Sequence, residues 1–339
     1  MQNPHGTTDR FAARSAPLLA GVPVVVGNPT ADDLAASGLK LSAAAAAVAA
    51  FAMLSSKAYA QTASDVLDVL QFAYVLENFE AEFYKSVLNA GTAVSAVQAG
   101  RFAPVRAAVM ATPNGAAIIE SLDQIRKHEE AHVITLRDAI QAKGGTAPVF
   151  TGDSFDFSGG RGTQTGPFVG VFTNPQVLLL ASQAFEDLGV RAYKGQAGRL
   201  INDEPILETA LRIHSVEARH AAKIRKVRRQ FFSAPDSVRF SGTVRRREFG
   251  PPPGVTLPAE AVTALQNIYA NPAPTSAGTA PEDNTIHTVN NGTADVMINV
   301  ATLAGILGGP DALTEAFDEA LSKEQVIPMV QPFVIPPLA

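Results

Sequence analysis

The chain has 339 residues, a net charge of −5, 46% apolar residues and no cysteine. That length can bury a large core in one or two domains, and the apolar fraction is that of a globular rather than a disordered protein. The missing cysteines exclude disulfides, thiolate ligands and cysteine nucleophiles, and the acidic balance gives no reason to expect nucleic acid as a partner.

Residues 1–60 read as a leader. An alanine-rich apolar run, Leu41 to Leu54, follows Lys40 and precedes Ala58-Tyr59-Ala60 and Gln61. This is the pattern of a signal-peptide core with a small-x-small cleavage site, and it predicts a periplasmic or secreted protein. The run is too short to span a bilayer comfortably. The stretch before it is long for such a signal, balances three basic with three acidic residues and has no Arg-Arg pair. The alternative is an alanine-rich helix packed on the rest of the protein.

Residues 61–232 hold four long helical segments. Helix A is expected from about Ser64 to Asn89, stopping near Gly91, and a short helical stretch follows around Phe102 to Met110. Helix B begins near Thr112-Pro113, where proline suits a first turn, and ends at Lys143-Gly144-Gly145. The connection Gly144 to Thr173 is too long for an ordinary loop, and a crossover between the second and third helices of a bundle accounts for it. Helix C starts near Asn174-Pro175 and runs to about Leu200; helix D has Pro205 in its first turn and runs to about Phe232. The basic cluster Lys223, Arg225, Lys226, Arg228 and Arg229 reads as a solvated face that complements the helix dipole. Residues 233–339 form a Pro-rich, partly helical extension. Pro251-Pro252-Pro253 is extended chain, and short helices are expected at Ala259 to Tyr269 and at Ala312 to Gln325, the latter ended before Pro328. The apolar run Val326 to Val330 predicts that this extension wraps the bundle.

Each long segment carries an acidic residue on its largely apolar stripe. Helix A has Glu77 and helix C has Glu186, each followed seven residues later by a tyrosine, Tyr84 and Tyr193. Helices B and D carry Glu-x-x-His, as Glu129/His132 and Glu217/His220. Positions spaced by three and four share one helix face. An ionised carboxylate on a buried face is costly without compensation, and metal ions compensate while also explaining the histidines. One Glu from each of two helices and a Glu/His pair from each of the other two is the inventory of a dinuclear site in a bundle. Four carboxylates balance two divalent cations. Glu129 and Glu217 would bridge, Glu77 and Glu186 would be terminal, and His132 and His220 would bind one metal each. Carboxylate and imidazole suit two iron or manganese ions, with zinc compatible.

Around this set, Tyr84 and Tyr193 would hydrogen-bond the carboxylates, with simple packing as the alternative. Glu80 follows Glu77 by three residues where the other half has Gly189; it could stand beside one metal or bend out to water. Gly189 would open space or ease helix packing. His214 lies near the stripe and could support a ligand, His128 is off the stripe and expected to be exposed, and His5 and His287 fall in irregular segments.

At these residues the chain resembles the ferritin-like superfamily. The segment Leu76-Glu77-Asn78-Phe79-Glu80-Ala81-Glu82-Phe83-Tyr84 looks closest to the bacterial ferritin-like domain proteins described as desiccation-related, and Thr314-Glu315-Ala316-Phe317-Asp318-Glu319 is similar to their C-terminal region. The resemblance implies an all-α, ferritin-like four-helix bundle with a long crossover between helices B and C, and the six ligand positions named above. Activities in the superfamily range over iron oxidation, peroxide reduction, manganese catalase and oxygenase chemistry. The expectation is an exported protein whose dinuclear centre handles peroxide, oxygen or ferrous iron. The rival is a stress-associated or envelope structural protein whose metals only staple the bundle. Metal storage, the third reading, requires a shell of copies; the long apolar tail speaks against a cage, while a smaller homo-oligomer stays open.

Overall fold

The computed structural model describes residues 63–231, 254–269, 286–290, 295–299 and 320–335. The leader-like run Leu41 to Leu54, the Pro251-Pro252-Pro253 stretch and residues 312–319 lie outside the described residues.

Four long helices make the bundle: α1 (Ala63–Leu88), α3 (Gly115–Ala142), α4 (Pro175–Ala197) and α5 (Glu204–Phe231), with the shorter α2 (Ala96–Met110) between the first two. Local chemistry sets their ends. The chain leaves α1 through Asn89 and Gly91, both at positive φ, and Ala90 N–H returns to the Lys85 carbonyl at 3.2 Å. Ser95 Oγ caps α2 by accepting from Gln98 N–H at 3.2 Å. This helix starts earlier than the sequence suggested and carries Pro104 inside it. α3 starts at Gly115, two residues past the expected Pro113, and closes at Gly144 (φ +78°). Asn174 Oδ1 caps α4 by accepting from Gln176 N–H at 2.9 Å, with Pro175 in the first turn.

α1 packs on α3 and α4 on α5. Within the second pair, Gln183 meets Arg228 and Glu186 meets His220, so the two helices run in opposite directions. Across the bundle, Glu77 meets Tyr193 and Tyr84 meets Glu186, so α1 and α4 are also opposed. α1 opposes α3 as well: Leu67 lies beside Gly145, just past the end of α3, and Glu77 beside His132. It follows that α3 and α4 run the same way. The chain between them must therefore travel back along the bundle, roughly 40 Å for a helix of 28 residues at 1.5 Å each.

That crossover is ordered by burial. Phe155, Phe157, Phe168 and Phe172 insert beside Phe79, Phe83, Phe102 and Phe185, largely edge-on; Phe79 and Phe185 stand 4.6 Å apart between ring centres. Asp156 fixes the turn by accepting from Ser158 N–H at 3.0 Å, Gly162 N–H at 2.8 Å and Gln164 N–H at 2.9 Å.

The C-terminal segments lie on the second helix pair and the crossover. α6 (Ala259–Tyr269) and α7 (Lys323–Val330) both touch α4. Phe333 stacks near Phe79 and Phe185, and its carbonyl accepts from Asp156 N–H at 2.8 Å. Leu321 N–H reaches the Arg191 carbonyl at 3.1 Å. A Cβ built on Gly195 would fall 1.8 Å from the Leu321 oxygen, so only glycine permits this approach. With crossover and tail on its outer side, α4 is buried on nearly all faces from Val177 to Tyr193.

Two expectations need correction here. The helix expected from Ala312 to Gln325 begins at Lys323 in the described part, because Ser322 and Gln325 form a capping box there (Ser322 N–H to Gln325 Oε1, 2.8 Å). It then runs through Pro328, whose missing N–H orphans only the carbonyl of exposed Glu324. The second concerns His287, which lies in β1 (Ile286–Asn290), a strand paired antiparallel with β2 (Asp295–Asn299), rather than in an irregular segment. Among the described residues no helix is long and apolar enough to cross a membrane.

Candidate metal centre

The carboxylate stripes of the four long helices meet at mid-bundle. Glu77, Glu129, Glu186 and Glu217 are fully buried, and His132 and His220 nearly so. Their ligand atoms fall into two groups, each within 4.8 Å: Glu77, Glu129, His132 and Glu217 in one, Glu129, Glu186, Glu217 and His220 in the other. Glu129 and Glu217 belong to both. Overlapping groups with two shared carboxylates are what two adjacent cations would require.

The polar groups do not satisfy one another. His132 Nδ1 lies 3.0 Å from Glu77 Oε2, 3.2 Å from Glu129 Oε2 and 3.3 Å from Glu217 Oε1. His220 Nδ1 lies 2.7 Å from Glu129 Oε1, 3.2 Å from Glu186 Oε2 and 3.7 Å from Glu217 Oε1. One ring nitrogen offers at most one proton, so it cannot serve three acceptors. Both oxygens of Glu217 are buried without a hydrogen bond. Such orphaned acceptors cost free energy unless a cation takes them.

Titration behaviour carries the same signature. Burial and the neighbouring carboxylates Glu217 and Glu186 push Glu80 well above the usual range, and burial with Glu129 and Glu77 does the same to Glu217. Burial and Glu77 raise Glu129 to about 7, against the pull of His132 and His220. Burial raises Glu77 too, but the adjacent His132 outweighs it and the net shift is downward. Burial would depress both imidazoles; the carboxylates win instead, holding His132 far above its usual value and His220 at about 11. Without metal, protons stand where cations would. The donor set is all oxygen and imidazole nitrogen, which fits iron, manganese or zinc.

The surrounding residues sort themselves by position. Tyr84 hydroxyl donates to Glu186 Oε1, and Tyr193 hydroxyl donates to Glu77 Oε1 at 2.5 Å. Burial together with the partner carboxylate raises both phenols well above their usual value, so both remain donors. Glu80 is 3% exposed and turns inward. It occupies the space opposite Gly189, where a built Cβ would lie 3.4 Å from Glu80 Oε1 and 3.0 Å from Glu217 Oε2. His214 is half-buried on α5 and belongs to neither ligand group. His128 is exposed, yet its Nδ1 lies 2.9 Å from His220 Nε2. The sequence held a signal for this contact: His128, Glu129 and His132 spell His-Glu-x-x-His, whose two imidazoles share one helix face.

Buried carboxylate/histidine groups able to hold metal ions, set in a four-helix bundle with a long crossover, define a ferritin-like architecture. Residues 65–230 match the family model of the ferritin-like domain, and this bundle is a ferritin-like domain. No curated protein and no solved structure matches it significantly.

Proposed function

We propose that this chain is an exported protein whose bundle holds two iron or manganese ions for redox chemistry on peroxide, oxygen or ferrous iron. The observation that carries the reading is the pair of overlapping ligand groups with Glu129 and Glu217 in common. Two redox-active ions side by side supply paired one-electron changes to a small oxygen species. Around them the protein orients ligands and excludes water. Tyr84 and Tyr193 each engage one oxygen of a terminal carboxylate and leave the other toward the centre. An apolar cavity lined by Leu70, Ala73, Leu136, Tyr193 and Leu200 lies beside the Tyr193 ring, and a small neutral molecule fits such a lining.

Elemental analysis of protein from its native host is the first test, followed by peroxide consumption and ferrous oxidation with the metal-loaded protein. About two ions per chain and turnover in either assay support the reading. Two ions without turnover would transfer it to the rival, a structural centre in a stress-associated or envelope protein. The pinning of the C-terminal segments onto α4 and the crossover favours that rival. Metal far below one per chain would defeat both. Export rests on the leader pattern, and mass spectrometry of the native N-terminus decides it; an intact Met1 would remove it.

A further inference from the structure

An imidazole that gives Nδ1 to a metal carries its proton on Nε2, and a buried N–H needs an acceptor. For His220 the acceptor is in place. His128 Nδ1 lies 2.9 Å from His220 Nε2, and the two rings lie edge to edge and nearly coplanar, 5.2 Å between centres with 13° between planes. His128 then carries its own proton on Nε2, and its exposure lets that group bond to water.

We propose that His128 is a positioning residue: by accepting the Nε2 proton of His220 it fixes the tautomer and ring plane that aim Nδ1 at the ion shared with Glu186. The inference rests on the metal-centre reading. It also makes the two metal positions unequal. In the internal repeat of the bundle, the residue that would serve His132 in the same way is Val216, directly before Glu217 as His128 is directly before Glu129. Valine has no acceptor. One ion is therefore held by a histidine of fixed tautomer and the other by a histidine without this brace.

The test is titration of Co²⁺ into metal-free full-length protein, followed by calorimetry and visible absorption, for wild type, His128→Phe and His128→Gln. Phenylalanine keeps a planar ring of similar bulk and removes the acceptor; glutamine keeps an acceptor. The expected result is an affinity loss of about 10- to 100-fold at one of two sites in His128→Phe, with a shifted absorption band for that ion. The second site is unchanged, and His128→Gln recovers most of the loss. Unaltered affinities and spectra in His128→Phe would overturn the proposal. So would equal losses in both variants, which would assign the residue to packing. Wild-type protein that takes up no Co²⁺ would overturn the metal-centre reading and this proposal with it, and it would do so before any variant is compared.

Discussion

The pair α1/α3 and the pair α4/α5 present the same four groups at the same spacings: Glu77, Tyr84, Glu129 and His132 in one, Glu186, Tyr193, Glu217 and His220 in the other. The groups that would touch an ion are thus duplicated, while their surroundings are not. Where the first pair has Glu80, the second has Gly189; where it has His128, the second has Val216; where α1 has Asp68, α4 has Val177. Coordination requires equal donors on both sides, so those positions are symmetric. Two of the three differing positions lie on α4, which is buried under crossover and tail: Gly189 where α1 has Glu80 and Val177 where α1 has Asp68; the third, Val216, lies on α5.

Sharing of Glu129 and Glu217 by both ligand groups sets the largest expected effect. Glu217→Gln should abolish tight binding of both ions, whereas Glu186→Gln should lose one; metal stoichiometry after dialysis distinguishes them. The metal-free proteins should behave in the opposite way. Burial and the neighbouring carboxylates disfavour the ionised form of Glu217, so its neutral isostere should raise metal-free stability at neutral pH. One ion retained by Glu217→Gln would break the shared-ligand arrangement.

The same carboxylates set a pH dependence for the metal-free protein. Glu80, Glu129 and Glu217 have folded-state values above their ordinary ones. Stability from a raised group is complete below the unfolded value and is lost as pH rises through the folded value. Glu77, lowered by His132, works in reverse. The metal-free protein should therefore lose stability as pH rises above about 4.5: the loss from Glu129 is complete near pH 7, and His220, held at about 11, extends the loss to higher pH. Metal needs the carboxylates ionised, so the rise in melting temperature on loading should grow over the same interval. Calorimetry at pH 5 and pH 8 with and without metal checks this. A loading effect larger at pH 5 would contradict it.

Gly189→Ala tests the asymmetry at the centre itself. A Cβ there would stand 3.0 Å from Glu217 Oε2 and 3.4 Å from Glu80 Oε1. Without metal, both carboxylate ends can give way, and replacing a mid-helix glycine gains about 1 kcal/mol of helix propensity. With metal, Glu217 is held and cannot move aside. Metal-free stability should rise while metal affinity falls about tenfold, a cost of about 1.4 kcal/mol. Equal signs in both states would mean that Gly189 serves helix packing alone.

Much of this was legible in the sequence because periodicity and ligand chemistry reinforce each other. Glu77, Glu129, Glu186 and Glu217 sit in phase with apolar stripes, and a buried carboxylate requires an explanation that a surface one does not. The crossover was legible from its length. His128 was harder to read because it sits one position off the stripe, and its role depends on the distance between α3 and α5, which periodicity within one helix does not encode. Glu80 could not be placed from one helix either: it turns inward because Gly189 on the facing helix leaves room. The start of α7 depends on a single capping box, Ser322 with Gln325, against an apolar pattern that reads through it.

The difference between Asp68 and Val177 carries the smallest expected effect. Asp68 accepts from Arg199 at 2.9 Å and pairs with Lys323 at the start of α7, so it ties the tail to the first helix pair. Burial would raise its carboxyl, but the hydrogen bonds from Lys323 and Arg199 prevail and lower it. The stabilisation from a depressed group is present above the unfolded value and lost as pH falls through the folded one. Asp68 is 38% exposed on its side chain, so solvent screens the pair and Asp68→Asn should cost under about 1 kcal/mol. Elsewhere the tail is held by Leu321 against Arg191 of α4 and by Phe333 against Phe185 of α4 and Phe79 of α1, contacts that salt does not screen. Limited proteolysis at residues 320–335 should therefore quicken only slightly in Asp68→Asn. The difference from wild type should vanish in high salt. If this single change released the tail, the ion pair rather than the apolar seat would be the anchor, and the enclosure of α4 would depend on a single charged contact with α1.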